Sequence, residues 1–564
     1  MWVWQRLTII VMIFLWCGQG AFSQPTTWET QRDSCWEALD KAFIASEDLE
    51  DIWPMLYSLE NVFAAADDRE GYFAGVIPFV RQCYEYGFYA GARAYYGHLD
   101  SLAQSMGKDY TTTRASIAYE LGRSYLFSGE AEQAEKYASK SRLLYREVKT
   151  AAPSTSNLLA AAFEDQNRLD SAVYYYQQAI EEGELLGAAF SEVSTAGYCE
   201  NLALVYLKKA NPQEALGLVK KALALKQTTL PDDDLAIAEN YLNQGKCYEV
   251  LGQYQSAIEL YEQAVGIIIV QGYETTKFIA DVYLNLGVTY KKNGAYDQAI
   301  NHYQLAEQIY LQQRTVPQSN LALIYSNQGN VYLRKEAFDL AESYYQRSLR
   351  IYQELEEDVK LADTYNNLSV AAVRQSSWEN ALTYQQKALA LRKEYSQNSA
   401  DLSNDYINLA DIYLAQGKTA QAQLYADSAW QIEQNLFGER HPQLAYTYIT
   451  KAKIAQAQGN SAEALELVQQ ALIANHTTFR SINLTAMPDL AGYLSYEYLL
   501  ESLLLKAAIL REQEPDNLPT LLLAQQHYRY ALDLLDLVRR ELSSREDQIT
   551  LAKNVYRTVA LAIE

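Results

Sequence analysis

The stretch YLNLGVTYKKNGAYDQAINHYQLA, Tyr283–Ala306, decides the fold. Forty-two residues before it the chain reads YLNQGKCYEVLGQYQSAIELYEQA (Tyr241–Ala264), and forty-two after it YSNQGNVYLRKEAFDLAESYYQRS (Tyr325–Ser348). Self-similarity at a fixed period is the mark of a repeat architecture, so the 564 residues are not three or four globular domains. With Gly287 as the anchor, the same slot holds Gly122, Ala160, Ala203, Gly245, Gly329, Ser369, Ala410 and Ala452, all small. Twelve residues after each anchor stands an alanine: Ala134, Ala172, Ala215, Ala257, Ala299, Ala341, Ala381, Ala422 and Ala464. A further small residue follows seven positions on, as at Ala179, Ala222, Ala264, Ser348 and Ala429.

These spacings are helical. Tyr283, Gly287 and Tyr290 share one face of a 3.6-residue helix, and Ala299, Tyr303 and Ala306 share one face of a second. Small residues on both faces let the two helices approach closely. KKNGAYDQ breaks the first helix, with Gly294 suited to its C-terminal cap. Each period is therefore a helical hairpin. It cannot bury its apolar faces by itself, so neighbouring hairpins must stack.

The small–Tyr pair of the first helix and the Ala–Tyr–Ala series of the second resemble the tetratricopeptide repeat family. That family often has Trp where this chain has Tyr241, Tyr283, Tyr325, Tyr365, Tyr406 and Tyr448, a swap that accounts for many of the 46 tyrosines. The period departs from the usual ~34 residues; it is mostly 40–43 here. The longer form resembles the kinesin-light-chain class, and GERHPQLAYTYITKA (Gly438–Ala452) is similar to that class's Gly-x-x-His-Pro opening. The fold the resemblance implies is all-α, a right-handed α-solenoid.

Composition agrees with long helices in an acidic protein. The charge is −23, from 70 acidic and 47 basic residues, and prolines number 11. Such a balance excludes a nucleic-acid binder, which needs a basic footprint. The N-terminus carries Arg6, the apolar run Leu7–Trp16 and the small pair around Phe22, ending before Gln24. This reads as an export signal over residues 1–23 rather than a span, which needs about 20 apolar residues. The expected location is periplasmic or extracellular, with no stable membrane span after cleavage. Cys35, Cys83, Cys199 and Cys247 lack metal spacing and read as small buried residues. The remaining divisions are capping helices and a degenerate repeat over 24–109, about nine repeats over 110–475, an irregular connection and last degenerate repeat over 476–535, and a helical linker over 536–564.

Two positions before the anchor, six consecutive hairpins share an asparagine: Asn201, Asn243, Asn285, Asn327, Asn367 and Asn408. Asparagine is a mediocre helix former, so propensity does not explain it. It lies about 200° around the helix from the small slot. First helices of stacked hairpins line the inner side, so the amides form a ladder there, able to donate to and accept from a peptide backbone of any sequence. The competing reading has them fix the stacking through bonds to neighbouring helices. The resemblance favours ligand contact, because related repeat proteins use such ladders to hold extended peptides. Seven residues further on, Lys208, Lys292, Arg334 and Arg374 form a basic row interrupted by Val250, which favours an acidic ligand. Asp281 and Asp363, four before Asn285 and Asn367, make the surface mixed.

No chemistry is legible. His98, His302, His441, His476 and His527 lie more than a helical turn apart, and no phosphate loop or nucleophile elbow occurs. No metal, cofactor or catalytic residue is expected. The end, ALDLLDLVRRELSSREDQITLAKNVYRTVALAIE (Ala531–Glu564), resembles the segment that joins such repeats to a caspase-like CHAT domain through its Ala531-Leu532, Arg539-Arg540 and SSRED features. The expected function is a non-catalytic scaffold that binds an extended peptide or partner protein in its groove. The alternatives are the recognition half of a CHAT peptidase and a sensor ectodomain.

Overall fold

The computed structural model describes residues 52–541, apart from 66–67, 188–190, 396–398 and 491, together with Trp36, Leu39, 555, 556 and 558–560. The export signal, Cys35 and the SSRED stretch lie outside them. Two compact units, residues 1–253 and 254–564, divide the chain. The first contains α1 (Ile52–Ala65), α2 (Arg69–Glu85), α3 (Tyr89–Ser105), α4 (Thr111–Phe127), α5 (Ala131–Glu147), α6 (Pro153–Asp165), α7 (Leu169–Leu186), α8 (Glu192–Lys208), α9 (Pro212–Gln227) and α10 (Leu235–Val250). The second contains α11 (Tyr254–Val270), α12 (Lys277–Lys292), α13 (Tyr296–Leu311), α14 (Gln318–Arg334), α15 (Phe338–Glu354), α16 (Asp358–Arg374), α17 (Trp378–Tyr395) and α18 (Ala400–Ala415). It continues with α19 (Thr419–Phe437), α20 (Pro442–Ala457), α21 (Ser461–Ala474), α22 (Tyr496–Gln513) and α23 (Leu518–Glu541). Each unit is a stack of antiparallel helical hairpins, an all-α solenoid architecture, and among the described residues no strand forms beyond one bridge, His476 to Tyr493.

The turn inside each hairpin follows one rule. Seven residues past every anchor the backbone is left-handed: at Gly129, Asn167, Ala210, Gly252, Gly294, Glu336, Ser376, Gly417 and Gly459. The next residue's N–H then reaches back five residues to a carbonyl, as from Ala295 to Tyr290 at 2.8 Å and from Ala337 to Tyr332 at 2.9 Å. This satisfies the orphan carbonyls of the first helix. Glycine fits the conformation without penalty; Ala210 and Glu336 hold it because the stacking on both sides fixes the chain.

The repeated small residues sit where the helices touch. All nine alanines twelve after the anchor are fully buried. A Cβ added at Gly287 would fall 2.5 Å from the Tyr303 ring, and one at Gly329 2.5 Å from the Tyr345 ring. Tyrosines form ring stacks across several hairpins. His302 lies between Tyr283 and Tyr290, with centroids 5.8 and 5.1 Å away. Tyr425 lies between Tyr406 and Tyr413, the latter pair 2° from parallel at 5.5 Å. Burial holds His302 below the usual imidazole range, so it serves as a flat neutral ring.

One buried slot is poorly served. Leu202, Leu286, Leu368 and Leu409 precede their anchors by one residue and are buried. Gln328 occupies the same slot, fully buried, with neither amide atom hydrogen-bonded. An unsatisfied buried amide costs about 1–3 kcal/mol. Gln328→Leu should therefore stabilise the second unit by about 1–2 kcal/mol; an unchanged or lower denaturation midpoint would refute the assignment.

The ends depart from the repeat in detail. Cys83, Cys199 and Cys247 are buried free thiols, and burial pushes them up, to about 12 for Cys83 and about 11 for the other two. The turn between α22 and α23 is only Glu514–Asn517. Helix α23 runs unbroken through residue 536, where the linker was expected to begin. The irregular connection after α21 is anchored at both ends. Asn475 bonds Ser495 through both amide atoms, at 2.7 and 2.9 Å, and Arg440 donates to the carbonyls of His476, Thr477 and Phe479. The Gly-x-x-His-Pro motif acquires a local reason: His441 accepts from the Gln443 N–H at 3.2 Å as N-cap, Pro442 opens α20, and the His441 ring stacks on Phe437 at 3.7 Å.

Candidate functional site

The recurrent asparagines share one face of their first helices. On α12 this face runs Asp281, Asn285, Val288, Lys292, spaced three or four apart along one side, half-buried except for the exposed Lys292. The equivalent rows are Leu323, Asn327, Asn330, Arg334 on α14 and Asp363, Asn367, Val370, Arg374 on α16. The asparagine sits mid-helix about 200° from the small slot, which has turned toward the second helix.

In the N-terminal unit, Asn201 on α8 donates to the Asn157 side chain on α6 at 3.0 Å. Asn243 on α10 is half-buried, and no described residue hydrogen-bonds its side chain. In the C-terminal unit, Asn285 donates to the Asp281 carbonyl one turn earlier at 2.9 Å. Asn327 accepts from Lys291 of the preceding first helix at 2.7 Å and is 7 % exposed, the most buried of the six. Asn367 is half-buried with no side-chain partner among the described residues, while Asn408 donates to Asn366 at 2.8 Å.

Three of the six amides thus bridge successive first helices, and each uses one of several hydrogen-bonding positions. The cross-helix partners, Asn157 and Asn366, were missed from sequence; the doublet Asn366-Asn367 was the visible signal.

The basic row is less uniform than its spacing implies. Lys208 is exposed but paired with Glu164 at 2.7 Å. Lys292 lies at the exposed end of α12. Arg334 and Arg374 are exposed at the ends of α14 and α16 and make no ion pair among the described residues. Past Asn408 the face changes character. Asp411 accepts from Tyr446 at 2.7 Å and Thr450 at 3.0 Å, and Lys453 pairs with Glu501 at 2.6 Å. Burial pushes the Asp411 carboxyl up against these partners.

A model of the MalT-like TPR region matches residues 201–405, and tetratricopeptide repeat models match 406–472 and 119–185. No curated protein matches the chain. Among solved structures, the apo form of RapI is 16 % identical over 50 % of this chain and 98 % of its own, with a TM-score of 0.40. The apo form of the quorum sensor NprR from B. thuringiensis is 16 % identical over 63 % and 96 %, with a TM-score of 0.46. A putative kinesin light chain from Podosopora anserina, with nearly identical TPR-like repeats, is 21 % identical over 36 % and 99 %, with a TM-score of 0.31.

Proposed function

We propose, since this chain belongs to the tetratricopeptide-repeat family in its long-repeat form, that it is a non-catalytic scaffold. It binds an extended peptide or a segment of a partner protein along the asparagine-bearing face of its first helices. It works by positioning, with the stacked hairpins as a rigid frame. The observation that carries this reading is the amide row. In the second unit Asn285 and Asn367 keep side-chain capacity that no described residue uses, both half-buried and in the same slot of the repeat. A peptide backbone offers alternating donors and acceptors, which such amides match without regard to side chains. Arg334 and Arg374 favour acidic residues in the segment. The leader read at residues 1–23 makes an exported partner the natural one.

The test uses the full chain. Peptides selected on it from an extended random library are titrated against wild type and an Asn285→Ala, Asn367→Ala double variant. Affinity should fall on the order of tenfold or more, while the melting temperature barely moves, since alanine is the better helix former. Selected peptides should be acidic and should bind more weakly at high salt. Undiminished binding, or a collapse of melting that parallels the loss of binding, would refute the ligand role.

A further inference from the structure

The N-terminal unit holds a cavity of about 500 Å³ between α2, α4 and the connection leading into α6. This volume is in the range of sites that enclose a small molecule. Its walls are flat and apolar: Phe73, Pro78, Tyr119, Tyr145 and Pro153. Among them stand Arg81 and Glu120.

The polar groups at this cavity have an uneven hydrogen-bond balance. Glu120 is buried, and its carboxylate is saturated by Arg81, by the Tyr84 hydroxyl at 2.7 Å and by Arg123 at 3.6 Å. Ser116 and Tyr145 satisfy each other at 3.1 Å, as do Ser154 and Tyr198 at 3.0 Å. What remains is donors. Arg81 uses Nε and Nη2 on Glu120, its Nη1 has no partner among the described residues, and its side chain is 39 % exposed. The Tyr119 hydroxyl has no hydrogen-bond partner among the described residues. Arg123 and Glu85 complete a locally neutral cluster, but the carboxylate is hidden and the guanidinium faces the opening.

We infer that this pocket binds a monocarboxylate with an apolar body. The rings and prolines take the body, while Arg81 and the Tyr119 hydroxyl donate to the carboxylate. Two sources carry that chemistry: a free small acid, and the last residue of a polypeptide that ends in an apolar side chain. The pocket does not depend on the asparagine rows, so either reading can fail without the other.

Phenylbutyrate and its primary amide, and a short peptide ending in Phe with a free or amidated carboxyl, are titrated calorimetrically against the full chain. The acid of at least one pair should bind ten- to a hundredfold more tightly than its amide, the range of a charge-assisted hydrogen bond. Which pair binds identifies the source. Arg81→Gln should erase the difference between acid and amide; Glu120 keeps Tyr84 and Arg123, so its burial stays compensated. Ala151→Trp, on the lining connection, should block acid and amide alike without touching Arg81. Equal binding of acid and amide to wild type, no binding of either acid at millimolar concentration, or full binding to Ala151→Trp would overturn the assignment.

Discussion

Replacing Arg392 with isoleucine should destabilise the hairpins around it by about 3–5 kcal/mol, the cost of leaving a buried charge without its partner. Arg392 on α17 is 7 % exposed and holds three carboxylates: Asp405 at 2.6 Å, Asp363 at 2.7 Å and Asp401 at 3.7 Å. Asp363 belongs to its own hairpin, whereas Asp401 and Asp405 open the next, so one side chain joins two repeats. Asp405 is fully buried and has Gln385 as a second donor at 2.9 Å. Burial pushes its carboxyl up while Arg392 pulls it down. Asp405 stands at about 7 with Arg392 in place. Without Arg392 the carboxyl keeps only the Gln385 bond and rises further, so the folded chain must hold to higher pH a proton that the unfolded chain releases. The loss should be smallest in acid and should grow as pH rises through about 7. Hydrogen exchange across α17 and α18 at two pH values would show it. The double variant Arg392→Ile, Asp405→Val should recover most of the loss, because the same two slots hold fully buried Ile268 and Val282 elsewhere in this unit. A double variant as unstable as the single would disprove the pairing.

The second large effect concerns the contact between Gly287 and Tyr303. Gly287→Ala puts a methyl group into a fully buried ring and should cost about 1–3 kcal/mol through overpacking. Tyr303→Val should cost about 3 kcal/mol by opening a cavity. The two together should cost less than their sum by about 1–3 kcal/mol, since each relieves the defect of the other. The chain already contains the compensated form: Ala203 is paired in register with Val219, both buried. Additive losses in a double-mutant cycle, measured by denaturation of the full chain, would show that the ring and the missing side chain are not coupled.

Much of the fold was legible because its determinants recur. The small slot, the alanine twelve residues on and the hairpin turn are read by counting, and every one of those alanines is buried. Gly294 was visible as a cap, but Ala210, Glu336 and Ser376 adopt the same left-handed turn and carry no such signature. Their conformation comes from the helices on either side. Tyrosines such as Tyr283, Tyr290 and Tyr303 were placed on their helix faces but their stacking was not; it depends on which face the second helix presents, as with Tyr344 lying 5.3 Å from Tyr332. The asparagine period marked one recurring face of the first helices. It could not tell that Asn201 and Asn408 would each find another asparagine on the preceding first helix, since those partners lie 44 and 42 residues away. The cavity beside Arg81 left no periodic trace, because it is built where the repeat degenerates.

Arg392 occupies a position whose occupant differs in nearly every hairpin: Lys226, Ile268, Tyr310, Tyr352, Arg392, Glu433. Lys226 and Tyr310, like Arg392, bond the first helix that follows: Lys226 donates to the Ala236 carbonyl at 2.9 Å, and Tyr310 accepts from Asn320 of α14 at 2.9 Å. Loss of one whole period would leave every remaining helix intact. Excision of the hairpin that carries Arg392 would set Tyr352 against Asp405, sealing a lone carboxylate under an aromatic ring. Such a shortened product would be disfavoured at the junction itself, so the order of the copies is guarded by chemistry that their shared pattern does not contain.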